Sequence, residues 1–109
     1  MPESREDVLR IVRAFRDELR LLYGDRLKGV YLYGSYVRGQ AQADSDIDLA
    51  VVLAGPIDRA RERRRTSELW AEMSLRENCL IMPFFLSDAE FRAAPYAIHR
   101  SIRREGIPL

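Results

Sequence analysis

"YGSYVRGQAQADSDIDLAVVL", residues 33–53, sets two aspartates, Asp46 and Asp48, at alternate positions where an apolar run begins. Side chains alternate across a strand. A strand here therefore sends both carboxylates to one face, and Ile47, Leu49 and Val51 to the other, toward a core. Buried carboxylates are costly unless something pairs with them. Two ionised ones this close repel, and one takes up a proton unless a cation intervenes. Hard oxygen ligands of this kind suit Mg²⁺, which usually takes one or two carboxylates plus substrate phosphates. The first half of the stretch supplies what a phosphate binds. Gly34 lacks a Cβ and lets backbone N–H groups approach an anion, and a helix opening after it would favour negative charge. Ser35 adds a hydroxyl donor, and Arg38 lies one helical turn on, within reach of the same anion. Either half alone is weak, since Gly-Ser is usually a turn and paired aspartates are often solvated. Together they point to metal-assisted nucleotide chemistry.

The flanking segments supply a scaffold. "SREDVLRIVRAFRDELRLLYG" reads as a helix with a Ser4–Asp7 cap and a stop at Gly24. Its apolar stripe is Val8, Ile11, Val12, Phe15, Leu19 and Leu22. "LKGVYLYG" is an aromatic and β-branched strand, and "DIDLAVVL" is a second. Residues 57–78 are helical, with Leu69, Trp70, Met73 and Leu75 as the buried set. "CLIMPFFL" is a third strand, in which Pro83 requires an edge or a bulge. "SDAEFRAAPYAIHRSIRREG" opens with a Ser87–Glu90 capping box and breaks near Pro95. The order is helix, strand, strand, helix, strand, helix. The fold class expected is α/β, α+β-like: a small mixed sheet of three strands or slightly more, flanked by helices.

The 109 residues suit one domain over 1–109. A net charge of +1 gives no global pull toward nucleic acid or membrane, so any such affinity must come from a local patch. The single cysteine, Cys79, excludes an internal disulfide and fits a reducing cytosol. The N-terminus is too polar for a signal peptide, and no apolar run approaches a membrane span. A cytoplasmic protein is expected.

The stretch "GSYVRGQAQADSDIDLAVVL" resembles the signature of the polymerase-β-like nucleotidyltransferases, in which Gly-Ser is followed about ten residues later by Asp-x-Asp. The Arg-Gly after Gly-Ser and the Ser-Asp-x-Asp-Leu run resemble the minimal branch of that superfamily, MNT. The resemblance implies that Gly34 and Ser35 bind a nucleoside triphosphate, ATP above all, and that Asp46 and Asp48 hold Mg²⁺. It implies transfer of a nucleoside monophosphate to a hydroxyl with release of pyrophosphate. It further implies a HEPN-type protein partner in a toxin–antitoxin pair, and it allows a homo-oligomer. The alternative is a catalytically impaired antitoxin-like module that acts by complexing its partner. Nucleic-acid polymerisation is disfavoured, because the chain has no room for template-binding domains and no basic excess.

One departure from the pattern separates those readings. The family usually adds a third carboxylate on the next strand, and "CLIMPFFL" has none. Aligned on the strand's end, Met82 takes its place, and a thioether is a poor Mg²⁺ ligand. Glu77, Asp88 and Asp44 are the nearest substitutes in sequence. Elsewhere, "RARERRR" (59–65) reads as a solvated helix face, with a protein partner or RNA phosphates as its functional alternative. His99 reads as a surface residue beside a buried Ile98–Ile102 side. Trp70, Tyr96 and Cys79 read as core residues.

Overall fold

The computed structural model describes residues 4–38 and 46–109. Helix α1 (Arg5–Tyr23) starts where Ser4 Oγ accepts the Asp7 N–H at 3.1 Å, and it ends at Gly24, φ 55°. Its buried face holds Val8, Ile11, Val12, Phe15 and Leu19 as expected, but closes with Tyr23. Leu22 is half exposed. Position 23 follows 15 and 19 by steps of four, so it continues the stripe, and its hydroxyl donates to Glu62 at 2.8 Å.

Strand β1 (Leu27–Tyr33) leads into the single helical turn α2 (Ser35–Arg38), then β2 (Ile47–Leu53), α3 (Arg59–Glu77) and β3 (Ile81–Ser87). α4 (Asp88–Ala93) and α5 (Ala97–Glu105) are separated at Ala94–Tyr96, matching the break expected near Pro95. β4 (Ile107–Pro108) closes the chain's pairing. The sheet order is β3-β2-β1-β4. β2 runs antiparallel to β1 and parallel to β3, with α3 as the crossover a parallel pair requires.

The mixed sheet therefore has four strands. The fourth carried no pattern of its own: it pairs through Ile107 and Pro108 with Leu32 and Tyr31, and Leu109 N–H donates to Val30 O at 2.9 Å. Pro83 sits on an edge strand in unbroken register, so the edge is realised and the bulge is not. The outward carbonyls of Pro83 and Phe85 accept from Arg63 and Arg59 of α3, at 3.3 and 3.5 Å, which occupies that edge against further pairing.

Both sheet faces are covered. Val30, Leu32, Leu49, Val51, Ile81 and Phe85 pack with the α1 stripe and Met73. On the reverse, Ala50, Val52 and Leu86 pack with Ile102 of α5, beside Tyr31, Phe84 and Phe91. On α3 the buried line is Glu62, Thr66, Met73 and Ser74, with Leu69 and Trp70 partly covered. Leu75 is exposed, since two residues beyond Met73 is the far side of a helix. Among the described residues no helix is long and apolar enough to cross a membrane.

Candidate active site

Register builds the site. Asp48, second residue of β2, lies between Tyr33 of β1 and Met82 of β3. Paired residues share a face, so Tyr33, Asp48 and Met82 form one half-buried row across the sheet's end. The row behind it, Tyr31, Ala50 and Phe84, is roofed: Phe91 of α4 packs on Tyr31 at 4.9 Å, and His99 of α5 lies 6.2 Å from Phe84. Helices thus cover the sheet up to the Asp48 row.

Asp46 precedes β2 and is exposed, while Ile47 between the aspartates is completely buried and its N–H donates to Leu80 O at 2.8 Å. That anchor fixes the strand's facing, with Ile47, Leu49 and Val51 inward as expected.

Gly34 joins the two halves of the motif. Its φ is +83°, a value that L side chains rarely adopt. A Cβ added there would fall on Asp48 Oδ2, with Asp48 Cγ at 3.2 Å and Cβ at 3.3 Å. The turn from β1 into α2 is therefore pressed against the Asp48 carboxylate, and Val37 N–H closes it onto Gly34 O at 3.1 Å. Burial, and after it the Asp48 charge, pushes the Tyr33 phenol up to about 12.

The donor set is two hard carboxylates beside a glycine with no room for a side chain, which suits a magnesium–phosphate group. Asp46 and Asp48 are the described residues that could hold such a cation. The side-chain roles expected of Ser35 and Arg38, and Asp44 as a substitute acid, lie outside the described residues. Met82 does stand in register beside Asp48. Glu77 is taken up by Arg10 at 3.1 Å and Arg76 at 3.7 Å. Asp88 follows the far end of β3, about 20 Å along the strand from Met82. Among the described residues no group of three or more His, Cys, Asp and Glu could hold a metal ion.

Three further residues, all on or beside α5, differ from their expected environments. His99 is buried, at 1% exposure, and its Nδ1 has no hydrogen-bond partner among the described residues. Ile98 is exposed, because α5 turns 99 and 102, three apart, toward the sheet. Tyr96, read as core, is 65% exposed. Tyr33 was legible only as one of several tyrosines near Gly34; strand pairing singles it out.

The chain belongs to the nucleotidyltransferase domain family, whose sequence model matches residues 12–100. It is similar to MJ0141 of Methanocaldococcus jannaschii, named as an inferred protein adenylyltransferase: 27% identity over 77 residues, covering 71% of this chain and 77% of that protein. The protein adenylyltransferase MntA of Thermococcus cleftensis is 48% identical over 46 residues, 42% of this chain and 44% of that one. Among solved structures, a toxin–antitoxin with AMP-PNP superposes with a TM-score of 0.60 at 22% identity, covering 85% of this chain and 68% of that one. At that identity the likeness establishes the shared fold. The resemblance carried by the Gly-Ser and Asp-x-Asp motif, and the expectation of a nucleotidyltransferase, are borne out.

Proposed function

We propose that the chain is a Mg²⁺-dependent protein adenylyltransferase that moves AMP from ATP to a hydroxyl of a HEPN-type protein partner, in a toxin–antitoxin pair in the cytoplasm. The observation that carries this reading is the close approach of Gly34 to the Asp48 carboxylate, which brings the Gly-Ser turn against the paired acids. The names of the relatives support the substrate and the protein acceptor, and the AMP-PNP complex of a structural neighbour supports ATP.

In the reaction the acceptor oxygen bonds to the α-phosphorus, the bond from that phosphorus to the bridging oxygen breaks, pyrophosphate leaves, and the hydroxyl proton passes to solvent. Gly34 and Ser35 position the triphosphate, Arg38 adds a cationic contact, and Asp46 and Asp48 hold Mg²⁺. Bound magnesium supplies charge neutralisation on the phosphates and lowers the pKa of the attacking hydroxyl. Tyr33 stays a neutral phenol at physiological pH, so it adds no negative charge beside the phosphates.

A second reading is favoured by Met82, an apolar residue in register beside Asp48, where the motif resemblance implies a third carboxylate. On it the protein binds Mg-ATP and a partner but transfers slowly. The test is label transfer from α-³²P-ATP to a co-purified partner. Transfer abolished by Asp46→Asn supports the enzyme; ATP binding without transfer supports the module; absence of Mg-ATP binding overturns both.

A further inference from the structure

Where α4 gives way to α5, Ala94, Arg100, Arg103 and Arg104 line an open cavity of about 290 Å³. Two of these arginines are anchored by backbone carbonyls. Arg100 Nη1 donates to the backbone carbonyls of Ala94 and Pro95, both at 3.3 Å, and Arg103 Nη1 donates to Arg92 O at 2.9 Å. Arg63 is likewise held by a carbonyl, that of Pro83, whereas Arg59, Arg10 and Arg65 meet the carboxylates of Glu90, Glu77 and Glu62. Neutral carbonyls fix the forks of Arg100 and Arg103 without cancelling their charge. Arg104 adds a third cation, 70% exposed, with Glu105 at 3.7 Å. Arg100 and Arg103, held by carbonyls and with no carboxylate partner among the described residues, suit phosphate oxygens.

The second observation is aromatic. Tyr96 lies one helical turn before Arg100, whose N–H donates to Tyr96 O at 3.2 Å. The residue is 65% exposed, yet its ring is braced at 5.5 Å, interplanar 63°, by His99, which is itself buried against Phe84. A braced, solvent-facing aromatic beside anchored arginines matches what an unpaired base and its backbone require. A duplex keeps its base faces stacked, and an acidic peptide has no planar face to offer the ring. We propose that this surface binds single-stranded nucleic acid, with Arg100, Arg103 and Arg104 on successive phosphates and Tyr96 stacked on a base. It is the kind of local patch that a net charge of +1 leaves room for.

The test is fluorescence anisotropy of the full chain with labelled oligouridine, oligothymidine and a duplex of the same length, between about 50 and 200 mM salt. Binding of either or both single strands, well above the duplex, is the expected result; RNA alone or DNA alone would identify the source. Arg100→Gln with Arg103→Gln should flatten the slope of log K against log salt by about 1.4, at about 0.7 for each phosphate left without its arginine. Tyr96→Ala should weaken binding about tenfold with the slope unchanged. Because Arg100 and Arg103 also brace the turn, Arg104→Gln is the milder variant, since Arg104 is exposed: severalfold weaker binding with a thermal midpoint close to that of the wild type. No binding at low salt, duplex binding as tight as single strand, polyglutamate competing as well as the oligonucleotide, or wild-type binding by the variants would each overturn the proposal.

Discussion

Gly34 answers to two constraints, a positive φ and a carboxylate where a Cβ would lie, and they can be separated experimentally. Gly55 shares the backbone strain, with φ +78°, but a Cβ there would meet nothing within 4 Å. Gly34→Ala and Gly55→Ala should each lose about 1–2 kcal/mol of stability from φ alone. Only Gly34→Ala should also lose Mg-ATP binding, read by calorimetric titration; equal ATP affinity in that variant and the wild type would move the phosphate site elsewhere. For the aspartates, Asp46→Asn and Asp48→Asn should each weaken metal-dependent ATP binding at least about tenfold, roughly 1.4 kcal/mol. Asp48→Asn has a second readout with no nucleotide present. Since the carboxylate disfavours the neighbouring phenolate, the Tyr33 midpoint should fall from about 12, while burial, the larger cause, keeps it above 10. The sign for stability follows from a raised pKa in the folded chain. The Tyr33 contribution is complete below pH 10 and is lost as pH climbs toward about 12, because the unfolded chain ionises first. Ultraviolet titration of wild type, Asp48→Asn and Tyr33→Phe separates this tyrosine from the other four.

Elements were legible where local chemistry decided them. The Ser87–Glu90 capping box is realised with both bonds at 3.0 Å, as is the Ser4 cap, because caps need only neighbours in sequence. The errors arise where tertiary structure decides. Leu22 and Leu75 are apolar at positions that the helices turn outward, and His99 is polar at one that α5 turns inward. β4 could not be read, since two residues carry no period and pairing with β1 alone makes them a strand. Of the candidate site, the motif was legible as spacing, whereas the Tyr33–Asp48–Met82 row exists only through strand register. The α4 cap also carries a pH dependence. Burial alone would raise the Glu90 carboxyl, but the Ser87 N–H and Arg59, with both oxygens 2.9 Å from Arg59 Nη1, outweigh it and hold it below 4.5. A depressed pKa contributes stability that is present above 4.5 and lost as pH falls through the folded-state value. Glu90→Gln should therefore lose stability at neutral pH and show a shallower acid decline. Ser87→Ala should cost about 1 kcal/mol. Thermal melts from pH 7 down to acid check both, and an unchanged acid profile in Glu90→Gln would show that the Arg59 pairing contributes nothing.

At the scale of the whole molecule, the described helices cover both sheet faces, and the residues proposed for nucleotide chemistry lie at one end of the sheet: the end of β1, the start of α2 and the starts of β2 and β3. We propose that turnover at that end depends on position 82, where the motif resemblance implies an acid and the chain has Met82. Met82 shares the face of Asp48 in unbroken register, and no bulge at Pro83 diverts it, so an acid there would meet the pair directly. In transfer with three carboxylates, the third serves the attacking hydroxyl, whereas the nucleotide phosphates need only the first two. Losing it should cost transfer far more than binding. The expected wild-type behaviour is micromolar-to-millimolar Mg-ATP affinity with slow or undetectable AMP transfer. Met82→Asp should gain transfer partially, at little cost in folding because the position is only half buried. The comparison is label transfer by wild type, Met82→Asp, Asp46→Asn and the double variant, at saturating ATP. Gain in Met82→Asp that disappears when Asp46→Asn is added would place all three acids in one site. Brisk wild-type transfer, abolished by Asp46→Asn and indifferent to Met82→Asp, would instead mean that two described carboxylates suffice or that an acid from residues 39–45 completes the set.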